Sequence, residues 1–260
     1  MALRQTNIDP ATFTSVRLVA GAVTLWILIR LGKRRKSLGG DWGSAIALLV
    51  YAVGFSFAYV AVTAGTGALI LFGAVQLIMI SVGLIAGEQM DRKIAFGWAL
   101  AVAGLVILVI PGVSAAPSLQ AAMMLCAGVA WGIYSLRGRR SSNPLHDTAG
   151  NFVRAAPCAL FISAILWPRS SFDEQGMVLA ALSGSIASGC GYAAWYVALP
   201  RLSAIAAANM QLSVPVIAGL GGVALFGEPI TLRLAVSTVL VLGGVAFAIR
   251  RPMQIYGRRG

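Results

Sequence analysis

Residues 191–229 read GYAAWYVALPRLSAIAAANMQLSVPVIAGLGGVALFGEP, and residues 54–89, GFSFAYVAVTAGTGALILFGAVQLIMISVGLIAGEQ, repeat the same pattern. Glycine and tyrosine at positions 54 and 59 recur 137 residues later at positions 191 and 196. The Gly-Glu pair at 87–88 recurs 140 residues later at 227–228, so a three-residue insertion within 200–203 reconciles the two offsets. An ordered set of matches of this length indicates an internal duplication.

The composition excludes a soluble domain. Of the 260 residues, 58% are hydrophobic and 11% are charged, which is typical of an all-α polytopic membrane protein whose main partner is the lipid bilayer. The net charge of +12 could suggest a nucleic-acid partner. The basic residues lie in short gaps between apolar runs, however, where they act as topology signals. We therefore expect no nucleic-acid partner.

The apolar runs predict about nine transmembrane helices, because a bilayer core of about 30 Å requires roughly 20 helical residues. The predicted spans are 11–31, 44–63, 66–86, 94–112, 118–137, 149–167, 177–198, 203–226 and 231–250. With the amino terminus outside, fifteen of the 20 Lys and Arg residues fall in cytoplasmic gaps and three on the opposite side. This bias predicts an outer amino terminus and a cytoplasmic carboxyl terminus.

The duplication predicts two inverted repeats, at residues 1–112 and 113–260. The spans beginning at 11, 44, 66 and 94 correspond to those beginning at 149, 177, 203 and 231. Five helix-to-helix steps separate the members of each pair, and an odd number of crossings reverses the direction of a helix. The span 118–137 has no counterpart, so the repeats contain four and five helices. A complete pattern of five plus five would have one further helix before residue 11.

These features resemble the drug/metabolite transporter superfamily, in particular its EamA-like permeases with two five-helix repeats. The resemblance is carried by Asp9-Pro10, Val16-Arg17, 54–61, Gly87-Glu88, Ala130-Trp131, Val153-Arg154, 191–198, Pro215 and 226–229. It implies a permease of the bacterial inner membrane that moves a small organic metabolite, of amino-acid or drug type, by alternating access, with efflux as the implied direction. The chain departs from the family by lacking the first helix, which leaves open a misassigned start or a truncation.

Aromatic residues on two repeat-related helices are the first candidates for a substrate cavity. Tyr192, Trp195 and Tyr196 share one face of their helix, and Tyr51, Phe55 and Tyr59 lie on the equivalent face of its counterpart. Lipid offers no partner to a hydroxyl group, so these faces should point towards protein or water. Two aromatic walls suit an amphipathic solute. Alternatively, the tyrosines bond neighbouring helices or lie at the membrane interface. Trp131 is a further candidate, with ordinary packing as its alternative.

Mid-span amides and two arginines complete the candidate residues. Gln76, Asn209 and Gln211 are substrate-cavity candidates, with bonding between helices as the alternative. Pro215 is expected to kink its helix beside them. Arg17 and Arg154 occupy equivalent positions in the two repeats and are candidate gate or anchoring residues. Each could snorkel to a surface or contact an anionic substrate.

The sequence contains no residue pattern that indicates a cofactor, a metal site or catalysis, so a transporter is the favoured function and an enzyme is not expected. Two alternatives stay open at this point. A truncated or inactive membrane protein could require a partner, and a membrane-embedded enzyme is a weaker possibility. The glycine-rich helices are compatible with a homodimer but do not require one.

Overall fold

The computed structural model describes residues 3, 6–32, 37–62, 64–109, 118–214, 216 and 232–249. Their regular structure is entirely helical, as the composition predicted. The α-helices are α1 (Pro10–Leu31), α2 (Trp42–Ala58), α3 (Ala64–Ile85), α4 (Arg92–Val109), α5 (Ser118–Arg139), α6 (Pro144–Ile165), α7 (Glu174–Arg201, which includes π-helical and 3-10 segments), α8 (Ala204–Gln211) and α9 (Leu232–Ile249). Each overlaps one predicted span.

Four of these helices are both long and apolar enough to cross a bilayer: Pro10–Leu31, Leu119–Arg139, Pro144–Ile165 and Glu174–Arg201. Large apolar side chains also point outward. For example, Leu77 is 69% exposed and Phe161 is 67% exposed. A large exposed apolar surface is unfavourable in water but is expected where the protein contacts lipid. The number of membrane crossings and the direction of each stay predictions from the sequence.

The helices form two compact units, Met1–Val62 with Pro117–Pro200 (the first unit) and Thr63–Ala116 with Arg201–Gly260 (the second unit). Each unit therefore takes residues from both predicted repeats. In three of the predicted repeat pairs, the two helices pack against each other within a unit. These pairs are α1 with α6 in the first unit, and α3 with α8 and α4 with α9 in the second unit. Units defined by packing describe tertiary structure, whereas the repeat boundaries at 1–112 and 113–260 describe ancestry and stay a prediction.

In the first unit, α1 packs against α6 and α7, and α2 packs against α5 and α6. The helix α7 is α-helical over Glu174–Leu182 and Gly191–Ala198, with a π-helical segment at Ser183–Cys190 between them. π-helical turns are rare and occur frequently at functional sites. This segment faces α1 and carries Ser188, which is 1% exposed.

In the second unit, α4 packs against α9 and α3 packs against α8. Ala101, Leu212, Val216 and Val241 form its apolar core. The carboxylate of Glu88 accepts hydrogen bonds from the backbone amides of Ala204 (2.8 Å) and Ile205 (3.0 Å), which open α8. These bonds satisfy amides that have no partner inside the helix, and the negative charge matches the positive end of the helix dipole.

Asp9 fixes the start of α1 in the first unit. Its Oδ1 accepts from the amides of Ala11 (2.9 Å) and Thr12 (3.0 Å), and its Oδ2 accepts from the amide of Ser171 (3.1 Å). Burial raises the pKa of the Asp9 carboxyl, but these hydrogen bonds to the ionised form outweigh it and hold the pKa below its ordinary value of 3.8. Ionised Asp9 therefore stabilises both the helix and its contact with the segment before α7.

Replacing Asp9 by asparagine is expected to destabilise the protein at neutral pH by up to about 1 kcal/mol, because asparagine keeps a cap but loses the charge. The folded pKa is depressed, so the contribution is present above the unfolded pKa and is lost as pH falls through the folded pKa. Thermal unfolding of wild type and Asp9→Asn in detergent between pH 7 and pH 3 tests this. The difference in melting temperature should shrink below about pH 4, and a difference that stays constant over the whole range would contradict the assignment.

Candidate functional site

An aromatic cluster occupies the interior of the first unit. Tyr192 of α7 contacts Trp131 of α5 (4.9 Å between ring centroids), Phe152 of α6 (5.3 Å, edge to face) and Tyr196 one turn along α7 (6.3 Å). The cluster as a whole consists of Tyr51, Phe55, Tyr59, Trp131, Tyr134, Phe152, Tyr192 and Tyr196. Its rings come from α2, α5, α6 and α7, and each lies within 6.5 Å of another.

Helical spacing explains how the cluster assembles. Tyr51, Phe55 and Tyr59 follow one another at intervals of four residues, so their rings stack along one side of α2, at 5.7 and 4.4 Å between neighbouring centroids. Tyr192 and Tyr196 repeat the same interval on α7. Such tilted and edge-to-face ring pairs are worth about 0.5–1.5 kcal/mol each beyond the area they bury. The cluster is therefore a rigid wall of apolar faces with phenol groups at its edges.

Arg17 of α1 lies against this wall and is 7% exposed. Its Nε donates to Ser188 Oγ (3.0 Å), and its Nη2 donates to the Tyr51 hydroxyl (3.4 Å). The guanidinium carbon lies 5.7 Å from the centre of the Tyr51 ring and 5.4 Å from that of Phe55. These distances allow cation–π attraction. The charged group therefore lies among side chains of α2 and α7 inside the unit.

Several buried polar atoms of the cluster find no hydrogen-bond partner among the described residues. They are the hydroxyls of Tyr134, Tyr192 and Tyr196. Tyr192 is 7% exposed and follows four residues after Ser188, the residue that accepts from Arg17 Nε. A buried hydroxyl without a partner costs about 1–3 kcal/mol, so these groups are poised to bond to a solute or to water.

A polar pocket of about 200 Å³ lies at one end of the first unit. Tyr134 and Tyr196 of the aromatic cluster form part of its wall, together with Gly40, Asp41, Ser44, Arg137, Gly138, Arg140, Ser141, Asp147 and Asn151. Arg137 forms an ion pair with Asp41 (2.7 Å) and donates to Ser44 Oγ (2.9 Å), which ties α5 to the start of α2. The pocket joins a charged surface to the aromatic cluster.

The segment before α2 forms one wall of the pocket and is held by α6. The amide of Gly40 donates to Asp147 Oδ1 (2.9 Å), the amide of Asp41 donates to Asn151 Oδ1 (3.0 Å), and Arg154 Nη1 donates to the Gly39 carbonyl (2.7 Å). Gly40 has φ of +76°, and an added Cβ would lie 2.3 Å from Asn151 Oδ1, so this position requires glycine. Arg154 therefore anchors a loop in the structure.

The second unit holds the amide candidates. Gln76 Nε2 donates to the Ala208 carbonyl (2.6 Å), and Gln211 Nε2 lies 3.1 Å from Met79 Sδ. Asn209 is 2% exposed, and its Oδ1 has no partner within the described part of the chain. Two of these amides therefore contribute bonds between helices, which was the alternative interpretation. Pro215 lies outside the described residues.

The structure brings together most of the aromatic candidates and adds residues that the sequence analysis missed. Trp195 is half-buried, and its ring takes no part in the cluster of the described residues. Phe152 and the polar residues Asp41, Arg137, Asp147 and Asn151 were not predicted. A signal existed for two of them, because Asp147, Asn151 and Arg154 follow at intervals of four and three residues on one face of α6.

The comparisons with known proteins decide the family. The EamA-like transporter family matches residues 119–250, which is half of the chain. The chain belongs to the EamA-like transporter family. It is thus an integral membrane protein and a transporter of the drug/metabolite type, and members of this family are transporters rather than enzymes.

Relatives of this EamA-like chain match it over nearly its full length. An uncharacterized protein of Pseudomonas aeruginosa, PA1977, is 46% identical over 260 residues, which cover 100% of this chain and 91% of that protein. An uncharacterized transporter of Archaeoglobus fulgidus is 25% identical over 252 residues, covering 94% and 90% of the two chains. A crystal structure whose description names no function matches this chain with a TM-score of 0.78 at 18% sequence identity. The match covers 94% of this chain and 90% of the chain in that structure. That similarity shows the fold alone.

Proposed function

We propose that this EamA-like protein is a secondary transporter that moves a small organic metabolite across the bacterial inner membrane by alternating access. The solute binds against the aromatic cluster of the first unit. The observation that carries this proposal is the wall of buried and half-buried rings, in which the phenol groups of Tyr134, Tyr192 and Tyr196 have no hydrogen-bond partner among the described residues. Aromatic faces supply apolar contact, and a few fixed polar groups supply orientation, which is the usual composition of a small-molecule site.

The polar pocket supports the same proposal. It borders the aromatic cluster through Tyr134 and Tyr196, and the loop segments that form it lie on the side that the distribution of Lys and Arg predicts to be cytoplasmic. A solute that enters from the cytoplasm would meet the pocket first and the cluster second. Efflux is the direction that agrees with this order, and the carboxyl terminus is proposed to be cytoplasmic.

The test is transport by the purified chain in proteoliposomes. A pool of labelled amino acids, organic acids and amines is presented outside, and accumulation is compared with that in protein-free liposomes. We expect at least one class of solute to accumulate, and Tyr192→Ala to remove that accumulation. A folded, correctly inserted protein that moves no member of the pool would overturn the proposal. Site-specific labelling of a cysteine added near the carboxyl terminus checks the orientation in cells.

A further inference from the structure

Arg17 carries a buried charge that has no opposite charge beside it in the described part of the first unit. Arg17 is the eighth residue of the 22-residue helix α1, so it lies about 10 Å into that helix at 1.5 Å per residue. A charged side chain at the centre of a membrane helix costs about 2.5–3.5 kcal/mol on insertion scales. Its side chain is nevertheless held inside the unit, by Ser188 and Tyr51.

The groups that hold Arg17 are neutral. Within the described ranges, the ion pair that the structure contains joins Arg137 to Asp41, and no carboxylate lies within ion-pair distance of Arg17. Hydroxyl groups satisfy two of its N–H donors, and the faces of Tyr51 and Phe55 attract the cation, but none of these groups neutralises its charge. An anion beside Arg17 would remove this imbalance.

A second observation at the same place points to a ligand. The hydroxyl of Tyr192 is buried and has no hydrogen-bond partner among the described residues, and Tyr192 follows four residues after Ser188, which accepts from Arg17. A phenol group can donate one hydrogen bond to an oxyanion, and a guanidinium presents a planar fork of donors that fits the two oxygens of a carboxylate. Together, Arg17 and Tyr192 provide the donors that a carboxylate requires.

We propose that Arg17 and Tyr192 bind the carboxylate of an organic monoanion, whose flat apolar body packs against the rings of Phe55 and Trp131. This inference rests on the transport function proposed above and names its class of substrate. One uncompensated arginine matches one negative charge. A zwitterionic amino acid would also bring an ammonium group, for which the described side chains around Arg17 provide no carboxylate.

The polar pocket borders the same aromatic cluster without being lined by Arg17 or Tyr192. Tyr134 and Tyr196, which line the pocket, lie 6.4 and 6.3 Å from Tyr192 between ring centroids. The aromatic surface therefore continues from the pocket to the ring of Tyr192.

Binding to the purified protein in nanodiscs at pH 7.5 tests the proposal by calorimetry. The probes share an aromatic ring and differ in charge: benzoate and indole-3-carboxylate, their neutral amides, benzylamine, and phenylalanine. We expect an acid to bind at least about tenfold more tightly than its amide, because the amide cannot pair with a cation. Equal binding of acid and amide, preference for the amine or for phenylalanine, or no binding of either acid would overturn the proposal.

Variants of Arg17 test whether this residue causes the preference for the acid over its amide. Arg17→Gln should weaken binding of the acid at least about tenfold while leaving the amide unchanged, and Arg17→Lys should retain part of the preference. Arg30→Gln is the matched control, since it removes the same charge from the exposed end of the same helix. If Arg17→Gln does not fold, Tyr192→Phe and Arg17→Lys serve instead. Unchanged selectivity in the folded variants would contradict the assignment.

The same preparations separate this inference from the transport proposal. Transport of amines or zwitterionic amino acids with no uptake of acids would leave the transport function standing and overturn the substrate class. If no solute is transported but the acids still bind with the expected dependence on Arg17, the transport proposal fails and the anion site is supported.

Discussion

Tyr192→Ala is expected to reduce transport to the level of protein-free liposomes and to lower the free energy of unfolding by about 3–5 kcal/mol. Removing a buried aromatic ring leaves a cavity that the surrounding structure fills only partly. Here the ring contacts Trp131, Phe152 and Tyr196 on three helices, so its loss loosens the centre of the aromatic cluster. Uptake into proteoliposomes and thermal unfolding in detergent measure the two effects.

Two further variants separate packing from binding. Tyr192→Phe retains the ring and removes a hydroxyl that has no partner among the described residues, so its melting temperature should equal or exceed that of the wild type. Its transport should nevertheless fall about tenfold if the hydroxyl bonds to the solute. Phe161→Ala, at a ring that is 67% exposed, is the control for losing an aromatic side chain. Wild-type transport by Tyr192→Ala and Tyr192→Phe would refute the aromatic site.

Gly184→Ala is expected to destabilise the first unit by about 1–3 kcal/mol and to impair binding at Arg17. A Cβ added at this position would lie 2.3 Å from the backbone carbonyl oxygen of Arg17 and 2.8 Å from the Cβ of Ala20. No side-chain rotation relieves a clash with a backbone atom, so α1 and α7 would have to separate. This separation would also lengthen the 3.0 Å bond from Arg17 to Ser188.

Gly191→Ala provides the matched control on the same helix. Among the described residues, its added Cβ would meet only the Ile186 carbonyl oxygen, at 3.7 Å, which is an ordinary contact. Alanine is favoured over glycine in a helix by about 1 kcal/mol, so this variant should be as stable as wild type or more so. Melting temperatures and benzoate affinities of the two variants are compared in parallel. Equal behaviour of both variants would show that the close approach of α1 and α7 is not required.

The membrane class and the helix positions could be predicted from the sequence because they depend on local properties. A run of roughly 20 apolar residues is sufficient to indicate a spanning helix, and helical periodicity placed Tyr51, Phe55 and Tyr59 on one face. The family resemblance also followed from ordered short patterns, and it is confirmed by the match over residues 119–250. The inverted repeats, the orientation and the number of crossings stay predictions.

The partners of each side chain could not be predicted, because they depend on which helices pack together. Arg17 and Arg154 occupy equivalent positions in the predicted repeats, yet Arg17 is buried against Ser188 and Tyr51 whereas Arg154 holds the Gly39 carbonyl. Gln76 and Gln211 contact neighbouring helices of the second unit. Periodicity identifies the face of a helix, but a hydrogen bond between residues 171 positions apart, such as that from Arg17 to Ser188, arises only from tertiary packing.

By itself, the sequence determined that the protein is a helical membrane protein, since hydrophobicity and helical spacing are properties of the chain alone, and its ordered short patterns carried the resemblance to EamA-like transporters. The tertiary structure decided which of the two arginines is buried with its charge unpaired among the described residues, and which rings surround it. The physical reason is that burying a charge depends on every helix around it. In the first unit, four helices must pack together before Arg17, Tyr51, Trp131 and Tyr192 come into contact in one cluster.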